Sequence, residues 1–92
     1  MSSLANERLL RDMFGTDDPY TALLTRTSDA LLELRRSEGV SQREQARLMF
    51  TGQMQVSRLE TASSMGVTLR SIFAYADALD YDTDVVFTKR QP

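Results

Sequence analysis

Helix-start signals recur along the 92-residue chain and divide it into several helices. Asp18 followed by Pro19 is an acidic N-cap with proline at the first helical position. Ser41 with Glu44 three residues later forms a capping box, and Thr68 can cap the segment that follows it. We therefore predict an all-α fold, a compact bundle of about five helices. These helices cover about residues 3–14, 19–38, 42–49, 53–62 and 69–79, and a break at 25–28 is left open.

One segment has a β-like composition. Residues 83–88 are β-branched and aromatic, which predicts a short C-terminal β-strand. A lone strand leaves its backbone donors and acceptors unpaired. Pairing with the same strand of a second copy would satisfy them, so we expect a two-stranded sheet across a homodimer, with dimerisation through Val85, Val86 and Phe87. A frayed tail is the alternative.

The chain contains neither cysteine nor histidine. Disulfides and thiolate metal sites are excluded, and the commonest general base is missing. We expect no enzyme activity, no cofactor and no metal. Asp80, Asp82 and Asp84 imitate the start of a calcium loop, but Val85 stands where that loop needs glycine and Gln91 where it needs glutamate. No apolar run could span a bilayer and no export signal is present, so a cytoplasmic protein without a membrane partner is expected.

The net charge of −2 is unevenly distributed along the chain. Residues 28–70 carry six arginines against five acids, whereas residues 1–27 carry three arginines against four acids. Residues 71–92 carry two basic groups against four aspartates. Because basic groups are enriched in the middle, that part of an otherwise acidic chain can still bind phosphate groups.

A motif of about half the chain links three of the predicted helices. It consists of Leu31, Leu34, Arg35, Gly39, Val40, Ser41, Gln42, Glu44 and Ala46, then Val56, Ser57, Arg58, Leu59 and Glu60, and finally Thr68, Leu69, Tyr75, Ala76, Asp77, Ala78 and Leu79. It resembles the helix-turn-helix family of Cro and the phage repressors (XRE-type). The resemblance implies that the helix from Gln42 and the helix after Gly52 touch at Ala46, with Val56 and Leu59 buried. It implies a DNA-binding core at 28–80, between an N-terminal helical extension at 1–27 and a dimerisation strand and tail at 81–92.

The outward face of the second motif helix carries amides, a hydroxyl and a guanidinium but no carboxylate. Glutamine can pair with adenine, arginine with guanine, and a methionine side chain can touch a thymine methyl. An exposed face selected only for solubility would usually carry Glu and Lys. An ordinary solvated face, and for Met54 a role in filling the core, are the alternatives. The predicted base contacts are Gly52, Gln53, Met54, Gln55, Ser57 and Arg58.

Phosphate contacts are implied mainly by the resemblance. It places Ser41 and Gln42 against the DNA backbone, and the free N–H groups at a helix N-terminus suit an anion independently. Arg43 and Arg47 are candidates to add to these contacts, although either could equally face solvent. Such contacts position the protein, and the second helix reads the sequence.

Three residues depart from the family pattern. Phe50 stands in the turn, where a small residue is usual, and a left-handed backbone there would cost about 1–2 kcal/mol. Gln45 stands at an aliphatic position and Leu48 at a charged one. We expect either a slightly rotated first motif helix or packing of Leu48 and Phe50 against the N-terminal extension.

The function expected from these features is sequence-specific binding of double-stranded DNA by a dimeric transcriptional repressor at an inverted-repeat operator. The layout also resembles HigA-type antitoxins, which repress their own operon and neutralise a toxin that cleaves messenger RNA. The acidic flanks would suit a basic toxin partner. A protein-interaction module without a DNA role is the third alternative.

Overall fold

The computed structural model describes residues 18–63 and 66–91, and within them the chain is all-helical. These two ranges contain four helices: α1 over Pro19–Ser37, α2 over Gln42–Leu48, α3 over Gln53–Glu60 and α4 over Leu69–Asp77. The all-α prediction is confirmed. The predicted helix at 3–14 lies outside the described residues.

Helices α1, α2 and α4 begin at the capping residues that the sequence predicted. The Asp18 carboxylate accepts a hydrogen bond from the Thr21 amide at 2.9 Å, and Pro19 opens α1. Ser41 caps α2 by accepting from the Glu44 amide at 3.1 Å. Thr68 and Ser71 form a reciprocal capping box at the start of α4.

The helix ends are set by residues with a left-handed backbone. Gly39 has a φ of 68° and ends α1, as predicted, and α1 passes through residues 25–28 without a break. Ala62 (φ 59°) and Asp80 (φ 68°) follow α3 and α4, which end two residues earlier than predicted. Because a residue with positive φ cannot continue a right-handed helix, the chain turns at each of these positions.

The core lies where α1, α2, α3 and α4 face one another. Ala46 is 5% exposed and occupies the predicted position on α2, while Val56 and Leu59 of α3 are fully buried. Small Ala46 allows α2 and α3 to approach closely. The buried apolar cluster consists of Leu31, Ala46, Val56, Leu59, Tyr75 and Leu79, and Leu34, Val40, Leu48, Met49, Val67, Ile72 and Tyr81 pack against it.

The predicted rotation of α2 is not needed to explain Gln45. Its side chain is fully buried, and its Nε2 donates to the Tyr75 carbonyl oxygen at 3.1 Å. Gln45 therefore occupies the aliphatic position with one amide hydrogen bond to α4. Leu48 packs against the core, as a half-buried residue.

The predicted C-terminal strand is not formed in the single chain. Residues 82–91 have no regular secondary structure. They follow Tyr81, which packs against the core. Val85, Val86 and Phe87 are 52%, 79% and 92% exposed. The physical reason is that a strand needs a hydrogen-bonding neighbour, and the described part of one chain supplies none.

Candidate nucleic-acid interface

The outer face of α3 is open to solvent. Gly52 and Gln53 are exposed, and Met54 is 68% exposed. A Cβ atom added at Gly52 would meet no atom of the described residues within 4 Å, so a side chain can be accommodated at this helix end. Ser57 and Arg58 are half-buried and lie further along the helix. All six predicted base-contact residues lie in α3 or at its N-cap: Gly52, Gln53 and Met54 are exposed, and Gln55, Ser57 and Arg58 are half-buried.

Arg58 and Met54 are held together on this face. The Arg58 Nη2 donates to the Met54 sulfur at 3.4 Å, one turn earlier in α3. The pair presents a guanidinium beside a thioether. The guanidinium suits the O6 and N7 acceptors of guanine, and the apolar thioether suits a thymine methyl.

Gln55 is turned away from the other candidates. Its Nε2 donates to the Gly66 carbonyl oxygen at 3.1 Å, so its amide binds the loop between α3 and α4. A base contact by Gln55 would require this hydrogen bond to be exchanged. In the free protein Gln55 connects α3 to that loop.

A buried ion pair fixes the inner side of α3. Glu60 closes the helix with a side chain that is 3% exposed, and it receives two hydrogen bonds from Arg35 of α1, at 2.6 Å from Nε and 3.0 Å from Nη2. Arg35 also donates to the Val40 carbonyl oxygen at 2.8 Å. The Tyr75 hydroxyl of α4 makes a further hydrogen bond to Glu60. One carboxylate therefore joins α1, α3 and α4.

The charge state of this cluster follows from its contacts. Burial alone would raise the pKa of Glu60, but the hydrogen bonds from Arg35, Gln42 and Tyr75 outweigh it and hold the pKa below its usual value of 4.5. Burial, followed by the contact with Glu60, raises the pKa of the Tyr75 hydroxyl far above its usual range. At neutral pH the cluster is therefore an ionised carboxylate with a cation and a neutral phenol.

Gln42 connects the buried cluster to the outer face of α3. Its Nε2 donates to Glu60 Oε1 at 3.0 Å, and its Oε1 accepts from Gln53 Nε2 at 3.3 Å. Because the Gln42 amide is oriented by a carboxylate on one side, its oxygen faces Gln53 on the other. The Gln53 side chain is thereby positioned at the start of α3.

The predicted phosphate-contact residues are in part engaged within the protein. The Ser41 hydroxyl caps α2, and Arg47 pairs with Glu44 on the protein surface, with one hydrogen bond of 3.0 Å from Nε. That pair lowers the pKa of Glu44 through its hydrogen bonds with Arg47. Arg43 is exposed. Ser41, Gln42 and Arg43 lie together at the start of α2, and Arg47 lies one turn further.

Phe50 occupies the turn between α2 and α3 in the left-handed conformation. Its φ is 54° and its side chain is 97% exposed. Met49 is half-buried and packs on the core, whereas the Phe50 ring lies outside it. Burial of the ring therefore does not compensate the backbone strain in the described structure.

Sequence reasoning missed the Arg35–Glu60–Tyr75 cluster. Arg35 and Glu60 were recognised as motif residues, but no role followed from their spacing, since 25 positions separate them. One signal was present: Glu60 is the only acidic residue of α3 and directly follows the buried Leu59. A carboxylate at the edge of a buried face indicates a buried cationic partner.

The described residues contain no group of three or more acidic residues arranged to hold a metal ion. None of their helices combines the length and the apolar character needed to cross a bilayer. Comparison with protein-family models, with curated proteins and with solved structures finds no match to this chain.

Proposed function

We propose that this chain binds double-stranded DNA as a homodimeric transcriptional repressor, with α3 in the major groove. The observation that carries the proposal is the outer face of α3, where the exposed Gln53 and Met54 and the half-buried Arg58 lie together without a carboxylate among them. An α-helix fits the major groove, where each base pair presents a distinct pattern of donors, acceptors and methyl groups.

The cluster behind α3 supports this role because a reading helix must be held in a fixed orientation. Glu60 anchors the C-terminal end of α3 to α1 and α4. Gln42 positions the amide of Gln53 at the N-terminal end. The base-reading groups therefore stand on a helix that is held at both ends, and less conformational entropy is lost on binding.

The start of α2 supplies the contacts to the DNA backbone. Arg43 is exposed there, and the first amide groups of α2 favour a phosphate oxygen. Arg47 can exchange its exposed partner Glu44 for a phosphate group. These contacts make the affinity depend on salt, because each neutralised phosphate releases counterions.

A dimer would present two copies of α3 to successive major grooves about 34 Å apart. The exposed segment Val85–Phe87 supports such a dimer, since pairing with its counterpart would complete the backbone hydrogen bonds that one chain leaves open. The operator is then an inverted repeat, and its occupation blocks polymerase. The DNA-binding core extends over 28–80, and residues 81–92 form the dimerisation segment.

The test begins with selection of bound duplexes from a random DNA pool, followed by sequencing. We expect an inverted repeat with half-sites one helical turn apart. On the selected duplex, Gln53→Ala and Arg58→Ala should each weaken binding by about 1–3 kcal/mol per site. Arg26→Ala removes an exposed arginine of α1 and serves as the matched control. Unchanged binding by both α3 variants would refute the assignment of the reading helix.

An antitoxin that represses its own operon and neutralises a toxin is the second candidate. It is favoured by the exposed ring of Phe50, which suits a protein partner, and by the acidic C-terminal region. A small basic reading frame beside the gene would support it. Co-purification with the product of that frame, lost in Phe50→Ser, would establish it.

A further inference from the structure

An apolar groove lies between α4 and the C-terminal segment. It is open, has a volume of about 590 Å³ and a mainly apolar lining, and is formed by Leu69, Arg70 and Phe73 of α4 together with Thr83, Asp84 and Val85. Leu69 is 64% exposed and Phe73 is 51% exposed. The opposite face of α4 holds the buried Tyr75 and the rest of the core, so α4 has a second apolar face that the described chain leaves uncovered.

The chain itself supplies apolar side chains that match this groove. Val86 and Phe87 directly follow the groove residue Val85 and are 79% and 92% exposed. They cannot cover a groove whose border they extend, but Phe87 of a second copy can. We propose that the groove receives the C-terminal segment of a second copy, antiparallel to its own, with Val86 facing Val86. This inference rests on the homodimer of the proposed function.

The charges of the segment select the antiparallel orientation. Asp82 and Asp84 precede the apolar residues, and Lys89 and Arg90 follow them. Two parallel copies would align acid with acid and base with base. Two antiparallel copies align the acidic half of each with the basic half of the other, and opposite charges across a strand pair are stabilising.

The position of the two-fold axis follows from the groove. In an antiparallel pair the axis is perpendicular to the sheet, so one residue faces its own copy and facing residues lie on the same side. With Val86 on the axis, Phe87 of the second copy faces Val85 above the groove, and Asp82 faces Arg90. With Phe87 on the axis, Lys89 would face the apolar side chain of Val85 and not the hydroxyl of Thr83.

A buried hydroxyl gives independent support for this register. The Thr83 Oγ1 atom is buried beside the groove and has no hydrogen-bond partner among the described residues. With Val86 on the axis, Thr83 faces Lys89 of the second copy, whose ammonium can donate to Oγ1 once the Thr83 side chain rotates toward the groove. A buried oxygen without a partner costs free energy, and the dimer would remove that cost.

The experiment measures the dimer dissociation constant of the full chain by sedimentation, without DNA. Asp82→Arg and Arg90→Asp should each raise the constant about tenfold, because each creates two like-charge pairs. The combined Asp82→Arg/Arg90→Asp chain should return to within about twofold of the parent, since the swapped charges attract again. Glu33→Arg makes the same charge change on the exposed side of α1 and should leave the constant unchanged.

A further charge swap separates the registers. Asp84→Arg/Arg90→Asp should stay about tenfold weaker than the parent, because it leaves Asp82 facing a second carboxylate at position 90 of the other copy. Recovery of the dimer by this swap, and not by the first, would place the axis at Phe87 and overturn the inference. A chain that is monomeric at all concentrations, or single variants that dimerise like the parent, would overturn it as well.

The outcome for this interface and the outcome for DNA binding are separable. If the charge swap restores the dimer but the parent selects no DNA sequence, the proposed function fails and the interface stands. If the parent selects an inverted repeat while the single variants Asp82→Arg and Arg90→Asp dimerise like the parent, the interface fails and the DNA-binding role stands. Circular dichroism of each variant verifies that the helices are retained.

Discussion

At the scale of single residues, Glu60 connects α3 to the three other helices. It is a nearly buried carboxylate that accepts from Arg35, Gln42 and Tyr75. Glu60→Gln keeps the shape but leaves Arg35 without its charged partner, and we expect a loss of about 3 kcal/mol in the free energy of unfolding. Glu44→Gln removes the carboxylate of an exposed pair and should leave the urea midpoint unchanged. Equal midpoints for the two variants would show that Glu60 does not stabilise the bundle.

Protonation of the same carboxylate makes the stability of the fold depend on pH. The pKa of Glu60 is lower in the folded chain than its usual value of 4.5. Its stabilising contribution is therefore present above pH 4.5 and is lost as the pH falls through the folded-state pKa. We expect the thermal midpoint of the parent to decline below this pH more steeply than that of Glu60→Gln. Parallel curves for the two chains would contradict this origin of the acid sensitivity.

Phe50 is strained at the backbone and exposed at the side chain. Because glycine adopts a positive φ without a steric penalty, Phe50→Gly should raise the free energy of unfolding by about 1 kcal/mol. Phe50→Ala is the matched control, since it removes the ring but keeps the Cβ atom, and it should gain little. A gain in both variants would assign the effect to the exposed ring and not to the backbone.

Among the elements, α3 begins with an uncapped end that faces the proposed DNA. Gly52 is its N-cap, with no side-chain hydrogen bond and open space around it. An aspartate there can cap the helix and adds a negative charge. Gly52→Asp should therefore keep or slightly raise the thermal midpoint while weakening DNA binding at least tenfold through repulsion from phosphate.

Gly52→Ser provides the control for the added charge. Serine also caps a helix but is neutral, so its DNA affinity should stay within about threefold of the parent. If serine weakens binding as much as aspartate does, the loss is caused by the added side chain and not by its charge. Fluorescence anisotropy on the selected duplex distinguishes these results.

The helices could be predicted from the sequence because their determinants are local. Asp18, Ser41 and Thr68 act on amide groups within three residues, and the structure has a helix start at each. The C-terminal strand could not be predicted in the same way, because strand formation depends on a neighbour and not on local composition. The β-branched residues near Val85 indicated a strand, but one chain does not form it.

The candidate site was predictable in its chemistry and less so in its geometry. The face of α3 with amides and a guanidinium but no carboxylate was evident from residue types, and Gln53 and Met54 are exposed there. The hydrogen bond that turns Gln55 toward Gly66 depends on the path of a loop. The link from Glu60 through Gln42 to Gln53 depends on three elements meeting in space, which no spacing along the chain reveals.

At the scale of the whole molecule, we expect the affinity for a full operator to depend on dimerisation. Deletion of residues 85–92 removes the exposed apolar side chains of the C-terminal segment and leaves the described helices intact. We expect this chain to sediment as a monomer and to bind a full operator no better than a half-site. A truncated chain that still forms dimers would move the interface to the helices.

The claim on which the proposed function depends is that α3 reads base edges. The most direct measurement repeats the selection from random duplex DNA with Arg58→Ala and with the control Arg26→Ala, and compares both base-preference profiles with that of the parent. The proposed function predicts that Arg58→Ala loses its preference at one base pair in each half-site and retains the others, while Arg26→Ala matches the parent. Identical profiles for the parent and Arg58→Ala would contradict it.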